Sequence, residues 1–66
     1  MTLSTEVKIE LLQDPALAAA RLDVSSLNGI VTLSGAVPTQ ADADRAVAVA
    51  RRVHGVRGVV SQLKLP

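Results

Sequence analysis

The chain has 66 residues, 48% of them apolar, and carries a formal charge of +1. One domain spanning residues 1–66 is expected, and at this size it buries only about 60% of the surface that its unfolded form exposes, so its stability is marginal. With no Phe, Trp or Tyr there is no ring on which to stack a base, and with no Cys and His54 as the lone histidine neither a thiolate nucleophile nor a structural zinc site is expected.

From the start of the chain, Met1 to Glu6 shows no basic segment followed by an apolar run, so no secretory signal is read there. No stretch approaches the roughly 20 apolar residues that span a bilayer. Ser4 or Thr5 is expected to cap a first helix, with Val7 and Leu11 four residues apart on its buried stripe and Leu3 extending it. Ile9 and Leu12 lie off that stripe, at its boundary. Asp14-Pro15 breaks the helix, because the residue before a proline avoids helical geometry, and Asp14 can cap one further turn through Pro15, Ala16, Leu17 and Ala18.

Asn28-Gly29 between two β-prone runs is a strong hairpin signal, since a type I′ turn needs positive φ at both central residues. That turn would pair Leu27 with Ile30, Ser26 with Val31, Val24 with Leu33 and Leu22 with Gly35. Leu22, Val24, Val31 and Leu33 then share the core face, while Asp23, Ser25, Thr32 and Ser34 face water. Leu27 and Ile30 fall on the wet side. They form either a cross-strand pair that tightens the tip or an exposed apolar knuckle for a membrane or a partner. Gly35 is expected at a bulge or a close approach near the end of the second strand.

Thr39, with Asp42 three residues on, resembles a capping box and opens the next helix. Ala43, Ala46, Val49, Ala50 and Val53 share its buried side, so the helix should lie close to the sheet. Gly55 suits the position just past the helix end, and Val59, Ser61, Leu63 and Leu65 then alternate as a last strand. The crossover through the helix makes the last two strands parallel. The expected fold is α+β in the order αββαβ, a three-stranded mixed sheet with two helices on one face.

Charge is unevenly distributed. Residues 1–44 hold all six acids, Glu6, Glu10, Asp14, Asp23, Asp42 and Asp44, against Lys8 and Arg21; residues 45–66 hold Arg45, Arg51, Arg52, Arg57 and Lys64 and no acid. The two halves either attract one another within the fold, with Arg51 and Arg52 complementing a helix C-terminus, or leave a basic contact surface. Catalysis is not expected. The serines at 4, 25, 26, 34 and 61 have only His54 as a base, and it stands at a helix end away from the hairpin. Gly55-Val56-Arg57-Gly58 matches the GxxG of KH domains, but there the loop joins two helices and here it precedes a strand. No cofactor motif is visible.

Several spacings together resemble the BON domain, a small bacterial module. They are Val7-x-x-x-Leu11-Leu12-x-Asp14-Pro15-x-Leu17, Leu22-x-Val24, Asn28-Gly29-Ile30-Val31-Thr32-Leu33-Ser34-Gly35-x-Val37, Ala46-x-x-x-Ala50-x-x-Val53-x-Gly55-Val56, and Val59-x-Ser61-x-Leu63-x-Leu65. The resemblance covers nearly the whole chain and implies the αββαβ order found from periodicity. It further implies attachment to anionic phospholipid in a periplasmic or cell-envelope protein, often beside a second domain of the same protein; without a signal segment a cytoplasmic setting stays open. On that reading Arg45, Arg51, Arg52, Arg57 and Lys64 are candidate lipid contacts, Leu27 and Ile30 the apolar tip, and Asn28, Gly29, Gly35 and Gly55 structural turns. The alternatives are a protein-interaction or regulatory module working through the tip or a sheet edge, and a small-ligand sensor.

Overall fold

A computed structural model describes residues 2–66. The elements are α1 (Leu3–Leu12), α2 (Pro15–Ala18), β1 (Arg21–Leu27), β2 (Ile30–Ala36), α3 (Gln40–Arg52) and β3 (Gly58–Lys64). The three strands lie in the order β1-β2-β3, the first pair antiparallel and the second parallel, as the crossover requires.

The first helix begins earlier than the sequence suggests. Thr2, rather than Ser4 or Thr5, is its N-cap, and the Thr2 hydroxyl accepts from the Thr5 N–H at 3.3 Å. Three hydroxyl residues stand in a row of four, and the one that caps is the one that lets Leu3 enter the helix and pack against the core. Asp14 breaks the chain as expected and caps α2, accepting from the Ala16 N–H at 3.0 Å. That extra turn buries Leu17. The helical layer therefore has three pieces, all on one face of the sheet.

The hairpin takes the expected register in full, from Arg21 opposite Ala36 to Leu27 opposite Ile30. Asn28 and Gly29 both have positive φ, +54° and +84°, which suits a type I′ turn. At the far end, Gly35 has φ +115° and a Cβ there would lie 2.0 Å from the Arg21 carbonyl oxygen, so it is a close-approach position.

Val7, Leu11, Leu17, Val31, Leu33, Ala46 and Ala50 form the buried core, with Leu22, Val24, Val59 and Leu63 packed around it. The alanines at 43, 46 and 50 are the buried residues of α3, and they bring it close to the sheet. Thr39 caps α3, its hydroxyl accepting from the Asp42 N–H at 3.2 Å. Two details differ at the C-terminal side. The last helical cap is Val53, so Gly55 sits two residues beyond it instead of one, at the third position of a turn closed by the Val56 N–H donating to the Val53 carbonyl at 3.2 Å. Its φ of +97° is what a type II turn demands at that position. Leu65 lies outside β3 and is exposed, because pairing with β2 ends at Ala36 opposite Lys64.

Candidate functional site

The helices cover only one face of the sheet. The other carries four rows of side chains: Leu27, Ile30 and Gly58; Ser25, Thr32 and Val60; Asp23, Ser34 and Gln62; Arg21, Ala36 and Lys64. Its apolar residues gather at the hairpin end. There Leu27 is 74% exposed, Ile30 41% and Val60 44%. Burial does not account for them, and Gly58 leaves the Ile30 side chain no taller neighbour on β3.

Arg57 joins this end of the molecule. Its backbone N–H donates to the Gly29 carbonyl at 2.8 Å. Its side-chain stem lies across the turn, so that a Cβ at Gly29 would stand 2.7 Å from both Cγ and Cδ. The result is an apolar knuckle of Leu27, Ile30 and Val60 with a guanidinium anchored beside it. Arg has a long apolar stem and an always-charged head, which suits a boundary between hydrocarbon and headgroup.

The other basic residues go elsewhere. Lys64 and Arg21 flank Ala36 at the opposite end of the same open face, around a shallow depression of about 670 Å³ that also includes Asp23, Ser34 and Gln62. Arg45 is engaged within the fold: its Nη1 lies 3.1 Å from Asp14 Oδ2, while Asp14 Oδ1 caps α2. Arg51 and Arg52 occupy the last turn of α3, where positive charge complements the helix C-terminus. Arg52 also lines a groove of about 380 Å³ with Glu6, Ile9, Glu10, Val53 and His54. The five cations thus belong to four places: Arg57 to the hairpin end, Lys64 to the far end of the open face, Arg45 to its ion pair with Asp14, and Arg51 and Arg52 to the last turn of α3, where Arg52 shares a groove with two acids.

What the sequence reasoning missed is the pairing of Arg57 and Val60 with the hairpin tip. The signal was present in the parallel register: aligning Val59 with Val31 sets Gly58 beside Ile30, which brings Arg57 to Gly29. Among the described residues no group of three or more His, Cys, Asp or Glu side chains is placed to hold a metal ion, and no helix is long and apolar enough to cross a membrane.

The family model described as "BON domain" matches residues 2–66. A curated relative, "Osmotically-inducible protein Y" of Escherichia coli (strain K12), is 39% identical over 61 residues, covering 92% of this chain and 30% of the relative. The chain therefore spans under a third of the length of the relative that it matches.

Proposed function

The chain belongs to the BON domain family, and from that premise we propose that it is a non-enzymatic module that attaches a larger envelope protein to anionic phospholipid through its hairpin end. The observation that carries this reading is the meeting of Leu27, Ile30 and Val60, all exposed, with Arg57 folded across Gly29. An osmotic-stress setting in the periplasm or cell envelope is proposed with it, supported by the relative named as osmotically inducible and by the family.

The contact is weak in a single copy. A Lys or Arg at an anionic surface contributes about 1 kcal/mol, and partial burial of two or three aliphatic side chains adds roughly 2–3 kcal/mol at about 25 cal/mol per Å². The sum of about 3–4 kcal/mol corresponds to affinity near the millimolar scale. Useful attachment then needs a second contact in the same particle, and a second domain of the parent protein would provide it. That the chain matches only 30% of its longer relative agrees with such an arrangement.

Isotope-labelled protein titrated with phosphatidylglycerol vesicles tests this, with phosphatidylcholine vesicles alongside. Resonances of Leu27, Ile30, Arg57 and Val60 should shift or broaden first and only with the anionic lipid. Leu27→Ser with Ile30→Ser should remove the response, and Arg57→Gln should weaken it. Equal responses to the two lipids, or changes centred on Arg45, Arg51 and Arg52, would refute the tip as the contact.

A further inference from the structure

The outer edge of β3 and the flank of α3 above it form one continuous, self-complementary surface. The Val37 N–H donates to the Lys64 carbonyl at 3.0 Å. That bond sets the phase of the strand: the backbone groups of Val60, Gln62 and Lys64 point to β2, and those of Val59, Ser61 and Leu63 point outward, since backbone groups alternate sides along a strand. Three N–H and three C=O groups on this edge thus have no strand beside them. Soluble proteins usually blunt such an edge with charge, proline or a bulge. The edge of β1 carries Arg21 and Asp23; β3 from Val59 to Leu63 has no charge, no Pro and no Gly.

The side chains along this edge repeat the pattern. Val59, Ser61 and Leu63 face the helical layer, yet Ser61 is exposed and Val59 and Leu63 are only half-buried. α3 therefore stops short of the edge. One side of α3 is taken by α1 and α2, where Arg45, Ala48, Val49 and Arg52 surround Asp14. The opposite side, above the β3 edge, carries Asp44, whose Oδ1 accepts from Gln40 Nε2 at 3.0 Å, the half-buried Val47, which also packs against the core, and Arg51, at successive near-turn intervals.

We propose that the occupant of this surface is a second copy of the chain, paired β3 to β3 in antiparallel fashion about a twofold axis at Ser61. Val59 then pairs with Leu63 of the second copy, Ser61 with Ser61, and Leu63 with Val59. Each of these is a pair of outward-pointing residues, so each exchanges both main-chain hydrogen bonds. The same axis sets the two α3 helices side by side and antiparallel. Asp44 of one faces Arg51 of the other, twice, because the midpoint of those positions falls beside Val47. Repulsion is avoided at the rims: Lys64 meets Gly58, and Arg57 is held away against Gly29 by its stem. The product is a continuous six-stranded sheet with all helices on one side, the Leu27 and Ile30 side chains of both copies on the open face, and the two hairpin tips at opposite ends of the sheet, an isologous closed pair.

Sedimentation of the whole chain from micromolar to millimolar concentration reads this directly, with the mass rising from 6.8 kDa to twice that value. Hydrogen exchange at the Val59, Ser61 and Leu63 amides should slow as concentration rises, while that of Leu22, Val24 and Ser26 on the β1 edge should not. Ser61→Pro removes an outward donor without touching the β2–β3 ladder and should return the protein to monomer. Arg51→Glu should do the same, and Asp44→Arg added to Arg51→Glu should restore the pair. A chain that stays monomeric throughout overturns the proposal. So does a dimer that survives both single substitutions, or one abolished by Leu27→Ser with Ile30→Ser.

Discussion

Replacing Gly35 by Ala should come close to unfolding this protein, although it adds only one methyl group to a half-buried strand residue. The new Cβ would lie 2.0 Å from the Arg21 carbonyl oxygen, 3.0 Å from its carbon and 3.2 Å from Leu22 Cα. All three are backbone atoms of the paired strand, so no side chain can swing away. Relief requires β1 to separate from β2 at the Leu22–Gly35 pair, beside the core residues Leu33 and Val37. The backbone adds its own cost, because φ of +115° lies beyond even the left-handed helical basin, which costs a side-chain-bearing residue roughly 1–2 kcal/mol. Overpacking that moves backbone typically costs another 1–3 kcal/mol. The expected loss is about 2–5 kcal/mol, against a total of about 3–10 kcal/mol for a chain of this size. Urea unfolding followed by circular dichroism suits a protein with no Trp or Tyr. A midpoint within the equivalent of about 0.5 kcal/mol of the wild type, the scatter of innocuous surface changes, would refute the close approach.

Gly55→Ala tests the converse on the same assay: the space there is open, with only Leu3 Cδ1 at 3.7 Å, so the cost should be the positive φ alone, about 1–2 kcal/mol. Asp14→Ala removes both a cap and an ion pair. It should cost about 1–2 kcal/mol, whereas Arg45→Ala, which removes only a pair that is 59% and 20% exposed on its two sides, should cost under about 1 kcal/mol; equal losses for the two would mean that the cap contributes nothing. Leu11→Ala, at a fully buried position, should cost about 2–5 kcal/mol and leave little folded protein at physiological temperature. Leu27→Ser with Ile30→Ser should instead leave stability within about 0.5 kcal/mol, which separates loss of binding from loss of fold in the vesicle experiment.

The hairpin was legible in the sequence because its signals are local and agree. Asn28-Gly29 fixes a two-residue turn, the turn fixes the register, and the register puts Val31 and Leu33 on the face that the structure buries. The break at Asp14-Pro15 was legible for the same reason. The start of α1 was not, since Thr2, Ser4 and Thr5 are chemically equivalent caps and the choice rests on where Leu3 packs in three dimensions. The basic residues were the least legible part of the candidate site. Proximity along the chain groups Arg45, Arg51, Arg52, Arg57 and Lys64, but a helix projects side chains around its axis and a strand alternates them. The fold accordingly sends Arg45 to Asp14, Arg57 to the hairpin and Lys64 to the far end of the sheet. The places of Arg57 and Lys64 follow only from the parallel register between β2 and β3, and that of Arg45 only from the packing of α3 against the break at Asp14, both long-range features.

Because α3 meets the sheet through Ala43, Ala46 and Ala50, the domain has an unusual direction of mutational tolerance. Those residues have almost no volume left to give up, so the familiar damage of cavity formation is nearly absent along that seam. Enlargement is what the seam resists: Ala46→Val or Ala50→Leu would have to lever the helix off Val31 and Leu33, at about 1–3 kcal/mol or more. Sequence drift in this chain is therefore expected to proceed through the aliphatic residues of the strands, exchanging Val, Leu and Ile among themselves, while the helix that faces them stays small.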